Sequence, residues 1–340
     1  MIWKSFMKVI ARLEVHEILS LLMLGILTLL YELGLKDENL GDEIIRVAVS
    51  AGPITTTIAL LMVLFFVVLI FVPHGRIAEH AKLLARVMAS FLVMLFSFEA
   101  VTHFITAKGL PIKDAALQDW DSFLFGGKQP AEWLEPINNH PLTLFLSVIY
   151  LAWFAFTYGT IFLMWWSGRR ALLEYTAAAL MTFYIGYLIY ILIPAFGPIF
   201  TYTYSTSMTG LTAMMMDRNI FTPVADAFPS LHTGISVIMF ILVRKYSKRW
   251  FLLYSPVVVL VIISTIYLRI HYVIDVIAGV ALALATAWLC RKLIVRWEKL
   301  QESIQYSGSV ANRGSILPNT HNVLVMKNSQ IANGDQSTNI

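Results

Sequence analysis

The sequence predicts an all-α fold, a polytopic membrane helix bundle of about eight transmembrane helices. Three observations carry that reading. Of 340 residues, 58% are hydrophobic and only 14% are charged, against about 45–50% and about 25% in soluble domains. Several uncharged runs reach the roughly 20 residues needed to cross the hydrocarbon core. The lysines and arginines cluster between those runs instead of spreading along the chain. A mean hydropathy of +0.71 excludes a water-soluble enzyme and an intrinsically disordered chain. The single cysteine, Cys290, excludes an internal disulfide and a cysteine-rich zinc site. A net charge of +4 is too small to point to nucleic acid.

The first apolar run, 16–33, follows Lys4, Lys8 and Arg12 and has no small-residue cleavage site before Glu32. It reads as a retained signal anchor. Ala51 to Pro73 contains no Asp, Glu, Lys or Arg. The third run, 84–106, is interrupted by Glu99, an acid well inside a predicted span. Leu142 to Gly168 is uncharged, and so is Tyr175 to Met216, whose front half to about 194 reads as a span. Shorter runs at 231–246, 250–268 and 273–293 complete the set. Polar stretches at about 34–50, 74–83, 107–140 and 197–229 separate them. From about 303 the chain turns to Asn, Ser, Gly and Thr, a composition expected to stay disordered.

Orientation follows from the basic residues. With the N-terminus inside and each run crossing once, sixteen lysines and arginines flank the inner ends of the spans and seven the outer ends. Both termini are therefore expected to be cytoplasmic.

Three segments then share the outer side. Leu192 to Pro198 ends the fifth run, Phe228 to His232 opens the sixth, and Tyr267 to Asp275 joins the seventh to the eighth. From His232 the chain crosses inward, turns at a basic loop and crosses back before His271. Two histidines 39 positions apart can thus share one site. His271 and Asp275 are four apart, neighbours on a helical face. A carboxylate there can hold the imidazole tautomer and free the other ring nitrogen for attack. His232 can supply a proton to a leaving oxygen. Arg269 is a forked donor suited to phosphate oxygens, and Ser230 lies near a helix start, where backbone N–H groups favour anions. On the same outer side, Lys128 in Phe125-Gly-Gly-Lys128 and Arg218 are the candidate further phosphate-binding cations. The outer side offers no metal-ligand motif and no carboxylate pair beside the histidines, so neither metal nor cofactor is expected.

Pro229-Ser230-Leu231-His232 resembles the second signature of the type 2 phosphatidic acid phosphatase superfamily, Pro-Ser-x-His. Ser264, His271 and Asp275 fall at the spacing of its third signature. The wording from Tyr267 to Gly279, with Gly197-Pro198 upstream, resembles the inositol-phosphorylceramide synthase-like branch. The resemblance covers about 120–293. It implies a six-helix core with its site at one membrane face, His271 as nucleophile, Asp275 as its partner, His232 as general acid and Ser230 on the phosphate. Two departures stand out. Thr265 occupies the place of the signature's arginine, and the first signature, Lys, six residues, Arg-Pro, is absent. No lysine or arginine lies between Glu174 and Asp217.

The implied organisation is an N-terminal segment with two extra helices (1–82), a six-helix catalytic core (83–300) and a polar tail (301–340). The implied activity is that of a membrane lipid phosphatase or phosphotransferase. It takes a lipid phosphoester, passes through a phosphohistidine and gives the group to a lipid hydroxyl or water, most like an inositol-phosphoryl transferase of phospholipid or sphingolipid metabolism. The alternatives are a phosphatidic acid or isoprenyl diphosphate phosphatase and, without chemistry, a transporter or lipid-binding protein. No nucleic-acid partner is expected.

Overall fold

The computed structural model describes residues 7, 10–35, 39–50, 53–70, 76–210 and 223–314. Among them there are helices and no strand. In chain order they are α1 (Val15–Gly34), α2 (Leu40–Ser50), α3 (Pro53–Ile70), α4 (Arg76–Lys108), α5 (Asp114–Leu124), a 3-10 segment (Pro130–Ile137), α6 (His140–Ser167), α7 (Arg169–Leu192), a single turn at Pro198–Thr201, α8 (Leu231–Tyr246), α9 (Lys248–Tyr267) and α10 (Val273–Gly314). Each of the eight predicted runs falls on one of these helices. Among the described residues six are long and apolar enough to cross a membrane: α1, α4, α6, α7, α9 and α10. The protein is a multi-pass integral membrane protein. α8 has 16 residues, and the apolar part counted in α3 is Thr55–Leu64, so those two fall below that length. Exposed apolar side chains such as Leu29, Leu252 and Trp288 form the surface that lipid covers.

The chain divides into two compact units, residues 14–294 and residues 1–13 with 295–340. In the larger, α7 is the hub. It packs on α1, α4, α6 and α8, and it is buried around most of its circumference, from Ala171 to Tyr190. A helix apolar all round belongs in the middle of a bundle. The run Ala177-Ala178-Ala179 and Gly186 let neighbours approach closely, with Leu231 of α8 lying directly over Gly186. Hydrogen bonds between helices supplement the packing: Ser20 to Tyr184 at 2.9 Å, Tyr31 to the Ala100 carbonyl at 2.8 Å and Thr182 to Thr286 at 2.7 Å. At the end of the bundle away from the histidines, Glu174 accepts from Lys245 at 2.8 Å and from Tyr246. There Arg169 also pairs with Glu14 at 2.5 Å. α1 and α4 thus pack on the same hub as the later helices.

In the smaller unit, Trp297 donates to the Leu13 carbonyl at 2.9 Å and Gln301 to the Ala11 carbonyl at 3.0 Å. α10 runs on to Gly314, into the stretch from about 303 whose composition is polar. The rest of the polar tail lies outside the described residues.

One contact joins α10 to the start of α8. A Cβ on Gly279 comes within 2.4 Å of the Ser230 carbonyl oxygen, which itself accepts from Gly234 N–H at 2.9 Å. Gly279→Ala is therefore expected to push α10 off α8. The change should cost about 1–3 kcal/mol, read as a lower midpoint in thermal unfolding of the purified protein.

Candidate active site

Ser230 caps α8 by accepting from Thr233 N–H at 3.2 Å, and its own N–H donates to the Asp275 carbonyl at 3.0 Å. The cap sets the direction of α8 and so places His232 in its first turn. Thr233 and Gly234 are satisfied by Ser230. Among the described residues the N–H groups of Leu231 and His232 remain as the helix's free donors, the usual place for an anion.

The His232 ring is held by aromatic rings of α6. It stacks on Tyr150 at 4.5 Å between centroids and lies 4.4 Å from Trp153. His271 sits in the turn between α9 and α10, where its N–H and that of Ile270 both donate to the Thr265 carbonyl, at 3.1 and 2.9 Å. The two elements bring the histidines together: His271 Nε2 is 3.5 Å from His232 Nδ1. On the other side of the ring, His271 Nδ1 is 3.4 Å from Asp275 Oδ2. The contact is long for a hydrogen bond, as catalytic contacts often are without substrate. Ser230, His232, His271 and Asp275, read from the sequence as one constellation, thus meet in one place.

The phosphate-binding cations are placed differently. Arg269 is buried, with a φ of 61°, and its guanidinium stacks over Tyr204 at 3.8 Å. It donates to the Thr206 carbonyl at 2.5 Å and to Glu135 at 3.2 Å. These partners hold its fork in the turn, whereas the sequence suggested a fork open to phosphate. Lys128 is exposed in its glycine loop, and no hydrogen bond ties it to the histidines among the described residues. Arg218 lies outside the described residues.

Three aspartates at the site were not singled out as site residues from the sequence. Asp114 and Asp121 are buried on one face of α5, while Trp120 and Phe123 of the same helix are exposed. The helix is inverted, apolar outward and acid inward, as suits one lying at a membrane interface. Asp114 accepts from Phe196 N–H, Gly197 N–H and the Tyr272 hydroxyl at 2.8–2.9 Å. Asp121 accepts from Val273 and Ile274 N–H at 2.8 and 2.9 Å, the first free donors of α10. The seven-residue spacing of Asp114 and Asp121 around Leu117 was the available signal.

Asp226 is the third. It lies in the loop before α8 and couples electrostatically to His271. Burial raises its carboxyl to about 6, with His271 pulling it down. His271 is pushed down to about 4 by loss of solvent, with Asp226 pulling it up. At neutral pH the His271 imidazole is therefore uncharged and keeps a lone pair, the state a nucleophile needs.

A buried histidine beside a carboxylate and facing a second histidine at a helix N-terminus is an arrangement suited to nucleophilic and acid–base chemistry. The PAP2 superfamily model matches residues 115–289, just over half of the chain, and the protein belongs to that superfamily. Comparisons with curated proteins and with solved structures found no match. Membership, with the apolar helices, marks a membrane phosphatase-type enzyme.

Two outcomes are expected. Asp121→Ala leaves two N–H groups of α10 without acceptors, at about 1–3 kcal/mol each. It should lower the unfolding midpoint and reduce kcat more than it raises KM. Asp226→Asn removes the anion that raises the His271 pKa. The acid limb of kcat/KM on a lipid phosphate should then move to lower pH; a limb that moves up would contradict the coupling.

Proposed function

We propose that the protein is an integral membrane lipid phosphotransferase or phosphatase that works through a phosphohistidine on His271. The proximity of His271 Nε2 and His232 Nδ1, contributed by separate elements, is the observation that carries the reading. Asp275 holds Nδ1 of His271 protonated, leaving the Nε2 lone pair to attack phosphorus. As the N–P bond forms, the P–O bond to the leaving group breaks; His232, neutral in the buried site before substrate arrives, takes up a proton when the anionic phosphate binds beside it and donates that proton to the departing oxygen. In the second half, His232 takes the proton of an incoming hydroxyl. Its oxygen attacks phosphorus and His271 is released.

The non-bridging phosphoryl oxygens are proposed to sit at the free N–H groups of Leu231 and His232, beside Ser230. That anion site accounts for function without the family's first signature. Arg269 contributes by fixing the turn, and it reaches phosphate only if it leaves Glu135. Lys128 and Arg218 are proposed as outer cations that meet the head group before it enters.

A lipid alcohol suits the acceptor role better than water, because His271 and Asp275 are at most 4% exposed and water reaches such a site poorly. This supports transfer of a head group, as in the inositol-phosphoryl transferase branch, over hydrolysis of phosphatidic acid or an isoprenyl diphosphate. The distribution of basic residues supports a site on the non-cytoplasmic face, with both termini cytoplasmic.

The test is a substrate panel on purified protein: phosphatidic acid, an isoprenyl diphosphate, and phosphatidylinositol with and without ceramide or diacylglycerol. Free phosphate and new lipid are both measured. New lipid in the phosphatidylinositol-plus-acceptor arm is expected, with activity intact in EDTA. His271→Gln and His232→Gln should each reduce kcat by about 10²-fold or more. Unchanged turnover in His271→Gln would overturn the mechanism.

A further inference from the structure

One cavity leads from His232 into the apolar interior, and a second adjoins it. The first, about 230 Å³, begins at His232 and Asp226 and passes between α4 and α6, with Trp153 and Phe98 on its walls, to Ile58 of α3. The second, about 300 Å³, continues past Leu61, Met88 and Phe162. Ile58, Phe154 and Tyr158 line both, so the two adjoin and are read together as one groove. Its span along α6, from Tyr150 to Phe162, is about 18 Å at 1.5 Å per residue. That is a little over half of the ~30 Å hydrocarbon core, about the depth of one leaflet.

The character of the groove changes with depth. Ionisable side chains, Asp226 and His232, stand only at the site end. The deep end is aliphatic and aromatic, with Tyr158 its one polar side chain. A pocket of that kind stays dry and takes apolar ligands. Its wall opposite α6 comes from α3 and α4, which pack on each other and lie outside the residues matched by the family model.

We propose that this groove holds one hydrocarbon chain of the lipid phosphoester. The phosphorus lies at the histidine pair and the end of the chain near Phe162, and α3 sets the longest chain accepted. The inference rests on the catalytic reading of His271 and His232. In this arrangement the N-terminal helices measure the substrate.

The experiment uses full-length protein with Ile58→Trp, at the junction of the two cavities, and Leu61→Trp, about one turn deeper. A homologous series of alkyl phosphates from butyl to hexadecyl is turned over by each. Values of kcat/KM are taken as the ratio of variant to wild type at each length, so that partition into detergent cancels. The Ile58→Trp ratio should fall with increasing length, by roughly tenfold across the series, given about fourfold per methylene of lost contact as the upper bound. In Leu61→Trp the fall should begin at longer chains. A hexadecyl phosphate with a terminal photoreactive diazirine supplies a readout that needs no turnover. It should label residues 154–162 in the wild type and lose that label in Ile58→Trp. Ratios that do not depend on length, or labelling outside the groove, would overturn the inference while leaving the histidine chemistry standing. Labelling of the groove with no transfer from any lipid would instead refute the catalytic reading.

Discussion

Four carboxylates hold the turn that carries His271. The segment from Leu268 to Tyr272 has no regular structure of its own, yet it is buried among helices. Asp275 takes the Tyr272 N–H, Asp114 takes the Tyr272 hydroxyl, Asp121 takes the first N–H groups of α10, and Glu135 takes Arg269. Hydrogen bonds of this kind contribute about 0.5–1.5 kcal/mol each. Together they outweigh the left-handed backbone at Arg269, which costs about 1–3 kcal/mol. The Ser230 cap then ties α8 to the same turn through the Asp275 carbonyl. The His271–His232 distance is thus set by backbone contacts on both sides, before any substrate arrives.

That arrangement suits the nucleophilic role proposed for His271, in a site that holds few cations among the described residues. Burial strips His271 of solvent and keeps it neutral, while Asp226 moderates the effect from the loop before α8. In the proposed reaction, charge would enter with the substrate's phosphate, where desolvation would make the first N–H groups of α8 count for more than they do in water. Arg269 holds the turn together through Glu135 and Thr206. Glu135, whose carboxyl is held below its usual range first by the Ser205 hydroxyl, keeps the negative charge that pairs with it.

Much of the fold was legible because a bilayer imposes a length on every apolar run. Each of the eight runs became a helix, and parity placed Ser230, His232, His271 and Asp275 together. What escaped was written in exceptions to pattern. α5 hides its acids and exposes Trp120 and Phe123, the reverse of the rule for a surface helix in water. The local sequence around Asp114 and Asp121 therefore does not set them apart from solvated charges. The partners of Arg269 escaped for another reason: Glu135 and Thr206 approach it from segments more than 60 residues away, which local spacing cannot reveal. The groove from His232 to Phe162 was hidden for a third reason. Its lining comes from α3, α4 and α6, and apolar residues carry no local mark of whether they meet lipid, core or ligand.

Whether His271 bears the transferred group can be measured on the protein itself. The enzyme is mixed with a phosphorus-labelled lipid donor, quenched rapidly without acid and mapped by peptide. Base-stable, acid-labile label is expected on the peptide containing His271, and none in His271→Gln. Addition of an acceptor alcohol should discharge that label. Turnover with label on another residue, or donor consumption with no label on His271 at any time point, would refute the phosphohistidine.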